Sequence, residues 1–392
     1  MIRPLTIGVC PDFAEERWPS MDRVAVQLLA AIGAHHSDAI TADVLRPVFR
    51  KRVMRWSSGG LAYNADRACN RFIDYPRHLR GVGGSHDVYH VVDHSYAHLA
   101  WHLPAGRTVV TCHDLDAFRS IFESAEERRS ALFRAATRYI LGGLRRASAI
   151  ACDTAVIAEE LIRRSIVPPE RVFVAHLGAG EEFTTRPAPD ADAGLARLLP
   201  FPDHVPIVLH VGATIPRKRI DVLLRFFAAL QGFDPAPRLV HVGGAFTADQ
   251  AALARRLGID DRITILSTLD DRHLAAVYRR ASVLALPSDR EGFGLPVLEA
   301  LRCGTAVVAS DLAVLREVGA AVARYCPPGD VSAWARAVSD VIRRPGDDAE
   351  RAARAEWAGL FTWRRYGEQM TRIYSTVAER RRARPLCVQA PA

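Results

Sequence analysis

Lysine is nearly absent from this chain. Of its 52 basic residues only Lys51 and Lys218 are lysines, and the rest are arginines. Long hydrophobic runs are also missing. No apolar stretch reaches the ~20 residues that a helix needs to cross a bilayer. The start, "MIRPLTIGVCPDF", breaks its short apolar run at Pro11 and Asp12, so it reads as a first strand rather than a secretory leader. Paired cysteines are missing too. The seven thiols, Cys10, Cys69, Cys112, Cys152, Cys303, Cys326 and Cys387, form no C-x-x-C and are odd in number. That pattern argues against a disulfide framework or a zinc ribbon. It fits reduced, mostly buried thiols, hence a cytoplasmic setting.

What is present points to an enzyme of ordinary build. A chain of 392 residues exceeds one ordinary core and fits two domains. Apolar residues make up 49% and charged residues 24%, the mix of a folded globular protein. The net charge of +8 suits anionic partners such as nucleotides or anionic lipid. The cations are dispersed, and no RNA-binding signature with stacking aromatics appears, so nucleic acid is not an expected partner.

Short apolar runs alternate with helical patterns along nearly the whole length. Strands are expected near 5–10, 88–92, 108–112, 148–152 and 171–175, then near 207–211, 239–242, 263–266, 283–286 and 306–309. Helices are expected between them, among them 21–32, 125–146, 154–165, 221–230, 248–257, 271–281, 296–302 and 331–342. Near-continuous apolar strands separated by helices belong to parallel sheets covered on both faces. The alternation breaks at "TTRPAPDADAGLARLLPFPDHVP", the best linker candidate. The expected class is therefore α/β, with two doubly wound domains facing a cleft. The first spans 1–185, the linker 186–206 and the second 207–355. An aromatic-rich helical segment, 356–382, crosses back to pack on the first domain. The last residues, "RPLCVQAPA", are expected to be loosely held.

"VLALPSDREGFGLPVLEALRCG" has a clear local grammar. A strand is followed by a loop whose Gly292 and Gly294 permit unusual backbone shapes. Pro296 suits the first position of a helix that ends at Gly304. Glu291 thus lies in the loop and Glu299 about one turn into the helix, so the pair shares no helix face. Open amides at Gly294, Leu295 and Val297 would mark the positive end of a helix dipole, a place for a phosphate. Carboxylates on either side could accept hydrogen bonds from sugar or ribose hydroxyls. The plain alternative is a solvated Glu291 and a Glu299 that merely favours the helix start.

At this motif the chain resembles the retaining glycosyltransferases of GT-B fold, specifically glycosyltransferase family 4, through their E-x7-E signature. "IVLHVGATIPRKRIDVLLRFF", "LVHVGGAFTADQ" and "ITILSTLDDRHLAAVYRRASVLALPS" fit that family in order and spacing, and "VVTCHDLDAF" and "ERVFVAHLGAG" resemble it more loosely. The resemblance implies two Rossmann-like domains and transfer of a sugar, mannose or another hexose, from a GDP- or UDP-linked donor to a hydroxyl of a glycan or lipid-linked glycan. It implies no cofactor and no metal. Glu291, His113 and Lys218 would be the catalytic residues. Arg217, Lys218, Gly212, Phe293, Gly294, Leu295 and Glu299 would bind the donor, with Glu299 on the ribose and Arg217 and Lys218 on the diphosphate. Two departures stand out. Ala213 replaces a common arginine, and Arg219 replaces a residue that is often glycine or asparagine. A nucleotide-sugar epimerase or hydrolase, or a non-catalytic sugar-nucleotide-binding module, are the alternatives.

Other residues keep two readings. A histidine at a strand end, such as His113, is often structural; the resemblance places it by the donor sugar, with Asp114 orienting it or capping the turn. His90, His94, His98 and His102 recur at i+4, a spacing that could hold a metal on a helix. The favoured reading puts Asp93, His94 and Tyr96 on the acceptor side of a strand end. "LRPVFRKRVMRW" mixes cations with Phe49, Met54 and Trp56. It is either a solvated basic face or a peripheral contact with anionic lipid on the inner membrane face.

Overall fold

The computed structural model describes residues 3–16, 18–56, 59–125, 127–267 and 269–383. The tail expected to be loose, with Cys387, lies outside them. The chain divides into two units, Met1–Leu177 with Trp363–Ala392, and Gly178–Thr362.

The first unit holds six parallel strands: β1 (Leu5–Cys10), β2 (Ile40–Val44), β3 (Val88–Val91), β4 (Thr108–Cys112), β5 (Ala149–Cys152) and β6 (Val172–Val174). Their order is β2-β1-β3-β4-β5-β6. Helices cover the faces, which is why β3, β4 and β5 are buried at every position. The C-terminal helix Trp363–Ala383 belongs to this unit and packs on the helix Pro19–His35. Its Tyr374 hydroxyl meets His90 Nδ1 at 2.8 Å, fastening the helix to β3.

The second unit holds β7 (Ile207–Val211), β8 (Arg238–Val242), β9 (Ile263–Leu266), β10 (Val283–Leu286), β11 (Ala306–Ser310) and β12 (Arg324–Cys326), all parallel. The order is β12-β11-β10-β7-β8-β9. Winding runs outward from β7 to β9, then restarts at β10 and runs the other way. The β7/β10 seam is therefore the switch point where such sheets bind ligands. In the first unit the seam lies between β1 and β3.

The stretch expected to be a linker is structured. Pro189–Leu198 is a helix within the second unit. Its Asp192 pairs with Arg279 at 2.7 Å. Pro189 opens the helix and Asp190 and Asp192 lie in its first turn, a favourable start for a helix. The proline and aspartates that looked like linker composition are helix-start signals. The division falls instead after Leu177.

Candidate active site

The tips of β7 and β10 carry the first group. After β7 the chain turns at Gly212, then makes the short 3-10 helix Pro216–Lys218. Gly243 has φ +137, and a Cβ there would stand 2.2 Å from the Gly212 carbonyl oxygen, so only glycine lets the β7 and β8 turns approach this closely. The buried Lys218 runs its aliphatic stem past Gly212 and ends on Glu291, with Nζ 2.6 Å from Oε1. Ser288 donates to the same oxygen at 2.6 Å, and Arg217 reaches Oε2 at 3.2 Å. Arg217 also donates to the Arg290 carbonyl at 2.9 Å. Burial acts to raise the Glu291 carboxyl, but the Lys218 and Arg217 cations and the Lys218 and Ser288 hydrogen bonds outweigh it and hold it below the usual range. Glu291 is thus an ionised carboxylate fixed by three side chains.

Arg219 straps this arrangement together. Its guanidinium is bidentate on Asp221, both contacts 3.0 Å, and meets Asp289 at 2.9 Å. The Asp289 amide donates to the Arg217 carbonyl at 2.8 Å. The loop carrying Glu291 is therefore tied to the turn carrying Lys218 by backbone and by salt bridge. Arg219 has φ +49, a left-handed conformation. This explains why glycine or asparagine would suit the position.

The helix after the loop is Leu295–Arg302, capped by Gly294 at φ +96. Pro296 stands at its second position rather than its first. The Val297 and Leu298 amides fold back to the Gly294 carbonyl at 2.9 and 3.3 Å. Val297 is therefore not an open donor, and of the amides expected to be open only Gly294 and Leu295 are left. Phe293 is buried with its ring edge-on to Phe361, so only its backbone faces the loop. Glu299 is buried, and its Oε2 accepts from Tyr278 at 2.9 Å.

The first unit gathers a different group at its strand tips. Asp12 follows β1, Asp93 and His94 follow β3, His113 and Asp114 follow β4, and Asp153 follows β5. His113 Nδ1 lies 2.6 Å from Asp153, and Nε2 is 2.9 Å from the Val92 carbonyl. Both ring nitrogens are used inside the unit, so His113 reaches a sugar hydroxyl only by giving one bond up. Burial works against its charge, yet Asp153 and Asp93 overcome this and lift the imidazole to about 9. Burial also draws Asp153 upward. The pair shares one proton, and two facing carboxylates keep it on the ring. Asp114 does not orient His113. It caps its own turn, accepting from the Asp116 amide at 2.9 Å, and lies 3.4 Å from His94.

His94 also lies 3.3 Å from Asp93, whose carboxylate accepts from the Ser95 amide and hydroxyl at 2.7 and 2.6 Å. Asp12 is buried, and neither of its carboxylate oxygens has a donor among the described residues. Burial and then the Asp93 charge push its carboxyl well above the usual range. Tyr96 sits apart from this tip. It is fully buried, its hydroxyl on Glu16 and its ring under Arg71 at 4.1 Å. The four spaced histidines diverge: His90 to Thr111 and Tyr374, His98 to the Arg71 carbonyl, His102 to Tyr139. Among the described residues no three His, Cys, Asp or Glu side chains converge to hold a metal.

In the basic stretch, Arg52 is bidentate on Asp74 at 2.7 and 2.8 Å, and Arg46 donates to the Asp12 carbonyl. Several of its groups are thus spent on structure. Sequence reasoning missed Ser288, Asp12, Asp153 and the Arg219–Asp289 strap. Position offers a signal for Asp12 and Asp153, since each directly follows or closely trails a buried parallel strand.

Comparison with known proteins bears on the family and the fold. The family model of glycosyl transferases group 1 matches residues 197–357, and that of glycosyltransferase family 4 matches residues 25–182. A D-inositol 3-phosphate glycosyltransferase of Xylanimonas cellulosilytica is 34% identical over 251 residues, 60% of this chain and 58% of that protein. The match thus spans little more than half of that relative's length. Among solved structures, sucrose-phosphate synthase of Thermosynechococcus elongatus has a TM-score of 0.73 at 21% identity, covering 96% of this chain and all of that one. HepE of Anabaena in complex with UDP and glucose has a TM-score of 0.71 at 15% identity, covering 95% of this chain and all of that one. Two parallel sheets wound from β7/β10 and β1/β3 seams, and two family models that each take one of them, lead to one assignment: the chain belongs to the group 1, family 4 glycosyltransferases of GT-B fold.

Proposed function

We propose that the protein transfers a hexose from a nucleotide diphosphate sugar to a hydroxyl of a glycan or lipid-linked glycan, with retention at the anomeric carbon. The observation that carries this reading is the Lys218–Glu291–Arg217 cluster beside the Gly294 helix start. It sets two cations and open amides where a diphosphate would rest, and a held carboxylate where sugar hydroxyls would arrive. The anomeric carbon–phosphate bond breaks while a bond to the acceptor oxygen forms on the same face. The acceptor proton passes to the departing phosphate oxygen. Lys218 and Arg217 stabilise the charge that grows on that phosphate. Glu291 holds Lys218 in place and accepts from the sugar. Glu299, braced by Tyr278, takes the ribose hydroxyls. With two cations at the diphosphate the reaction needs no divalent ion.

The donor's nucleoside is uridine or guanosine. HepE binds UDP and glucose by its description, which puts UDP-glucose first in a donor panel with GDP-mannose. Inositol 3-phosphate joins neutral glycans among the acceptors because the relative bears that name. The test is thermal shift across donors, then transfer in the presence of EDTA with the product anomer read by NMR. An inverted anomer, loss of transfer in EDTA, or turnover of donor without any acceptor each overturns a stated part.

A further inference from the structure

The C-terminal helix Trp363–Ala383 lies against β3, β4 and β5 of the first unit. Two of its buried tyrosines, Tyr366 and Tyr374, are separated by about 12 Å along the helix axis. Tyr374 is well partnered. Its hydroxyl meets His90 Nδ1 at 2.8 Å, and His90 Nε2 meets the Thr111 hydroxyl at 2.7 Å. Tyr366 is different. It is completely buried, yet its hydroxyl makes no hydrogen bond among the described residues.

A group of complementary chemistry is left over on the same side of the sheet. Thr111 and Ala151 are partners in the β4–β5 register, and His113 and Asp153 each stand two residues further on. Alternate residues of a strand share a face, and Thr111, bonded through His90 to Tyr374, marks that face as the one the helix covers. Asp153 Oδ2 holds His113 Nδ1 at 2.6 Å, while Asp153 Oδ1 is buried with no donor among the described residues. The two unpaired groups feel each other. Burial and then the Asp153 charge push the Tyr366 phenol far above its usual value, and the Thr111 hydroxyl acts the other way. The phenol therefore keeps its proton, so a buried O–H donor stands near a buried carboxylate oxygen that lacks one. Leaving both unpaired costs more than joining them.

We propose that Tyr366 is a positioning residue: its hydroxyl donates to Asp153 Oδ1, directly or across one bound water, and fixes the carboxylate that orients His113. The C-terminal helix thereby acts on the strand tips as well as on β3. The consequence has a sign. A donor on Asp153 stabilises its anion, so the His113–Asp153 pair releases its shared proton at a lower pH with the phenol than without it. The other ionisable groups facing the pair are Asp93 and His94 after β3, Asp114 after β4 and His90 within β3. The Cys112 and Cys152 thiols beside Asp153 are kept protonated by burial. A bearing on catalysis rests on the transfer function proposed above; the titration is read without donor or acceptor.

The test is an NMR titration of the full chain carrying isotope-labelled histidine, with the His113 signal identified by its loss in His113→Gln. The wild-type ring is expected to titrate at about 9. Tyr366→Phe should move that titration up by about one pH unit, the scale of one hydrogen bond to a charged group. It should also lower the unfolding midpoint by a few degrees, whereas replacing a phenol that pairs with nothing would raise it. Tyr374→Phe removes the hydroxyl that fastens the same helix to β3. It should lower the midpoint too, but leave the His113 titration in place. In transfer assays, the basic limb of the kcat/KM profile should move with the titration in Tyr366→Phe. The proposal is overturned if Tyr366→Phe leaves the His113 titration unmoved or raises the midpoint, or if Tyr374→Phe moves the titration as far. A titration that moves beneath an unmoved rate profile overturns the role in transfer alone.

Discussion

In the first unit the seam strands β1 and β3 lead into Asp12 and Asp93; in the second, β7 and β10 lead into Arg217–Lys218 and Glu291. The topology is closely similar, and charge lies at the same place in it. Apart from Asp12, the first unit closes its charges on groups of its own. His113 spends both nitrogens, and Asp93 spends both oxygens on Ser95. The second leaves donors over. Lys218 has three N–H groups and gives one to Glu291, and the Gly294 helix start lies alongside. The same crest thus shares a proton in one unit and keeps spare donors in the other. The difference comes from one strand tip: Arg217 and Lys218 follow β7, where Asp12 follows β1.

The comparison breaks most sharply at Lys218. If the second seam is the phosphate site, Lys218→Ala should lower kcat for sugar transfer by ~10²-fold or more, while Lys51→Ala leaves it unchanged. Turnover within a few-fold of wild type would end the phosphate assignment.

The first seam should respond to pH instead. His113 is held protonated to about 9, above the ~6.5 of an unfolded histidine. A raised imidazole contributes stability that is full below the unfolded value and is lost as pH climbs through the folded one. Urea unfolding should therefore show stability falling between pH 7 and 10 by on the order of 2 kcal/mol. His113→Gln should flatten that fall. A wild-type curve already flat over this range would mean that the ring is neutral.

Arg219 separates stability from positioning in the second unit. Its left-handed backbone costs about 1–2 kcal/mol, while its half-exposed ion pairs return little each. Arg219→Gly should leave the melting temperature near wild type yet slow transfer ~10-fold, because the Glu291 loop loses its strap. An unchanged rate would reduce the strap to decoration.

Much of this was legible in the chain, and the gaps have physical causes. Strands buried on both faces read as plain apolar runs, so β3, β4, β7 and β10 stand out. The edge strands β2 and β12 do not, because a neighbour on one side alone leaves positions exposed. Glu291, Gly294 and Glu299 lie in one contiguous motif and could be read from it. The pairing of Lys218 with Glu291 bridges 73 residues and that of His113 with Asp153 bridges 40. Local pattern carries no information on which tips become neighbours; only strand order does. Tyr96 misled because a tyrosine near a strand end reads as accessible, whereas its ring fills the core beside Phe13 and Tyr75.

Asp12 gives the smallest expected effect and the finest distinction between the seams. Its carboxyl is raised by burial and by Asp93, whereas that of Glu291 is lowered by its cations. A raised carboxyl opposes folding above its unfolded value, since the native state must keep the proton or bury the charge. Asp12→Asn supplies a neutral side chain of the same shape and strands no cation, so it should change stability by about 1 kcal/mol or less. Glu291→Gln, the corresponding change at the other seam, strands two cations against a neutral amide and should cost clearly more. Equal costs for the two variants would mean that Asp12 is ionised, and that the first seam is as much an ion-pair site as the second.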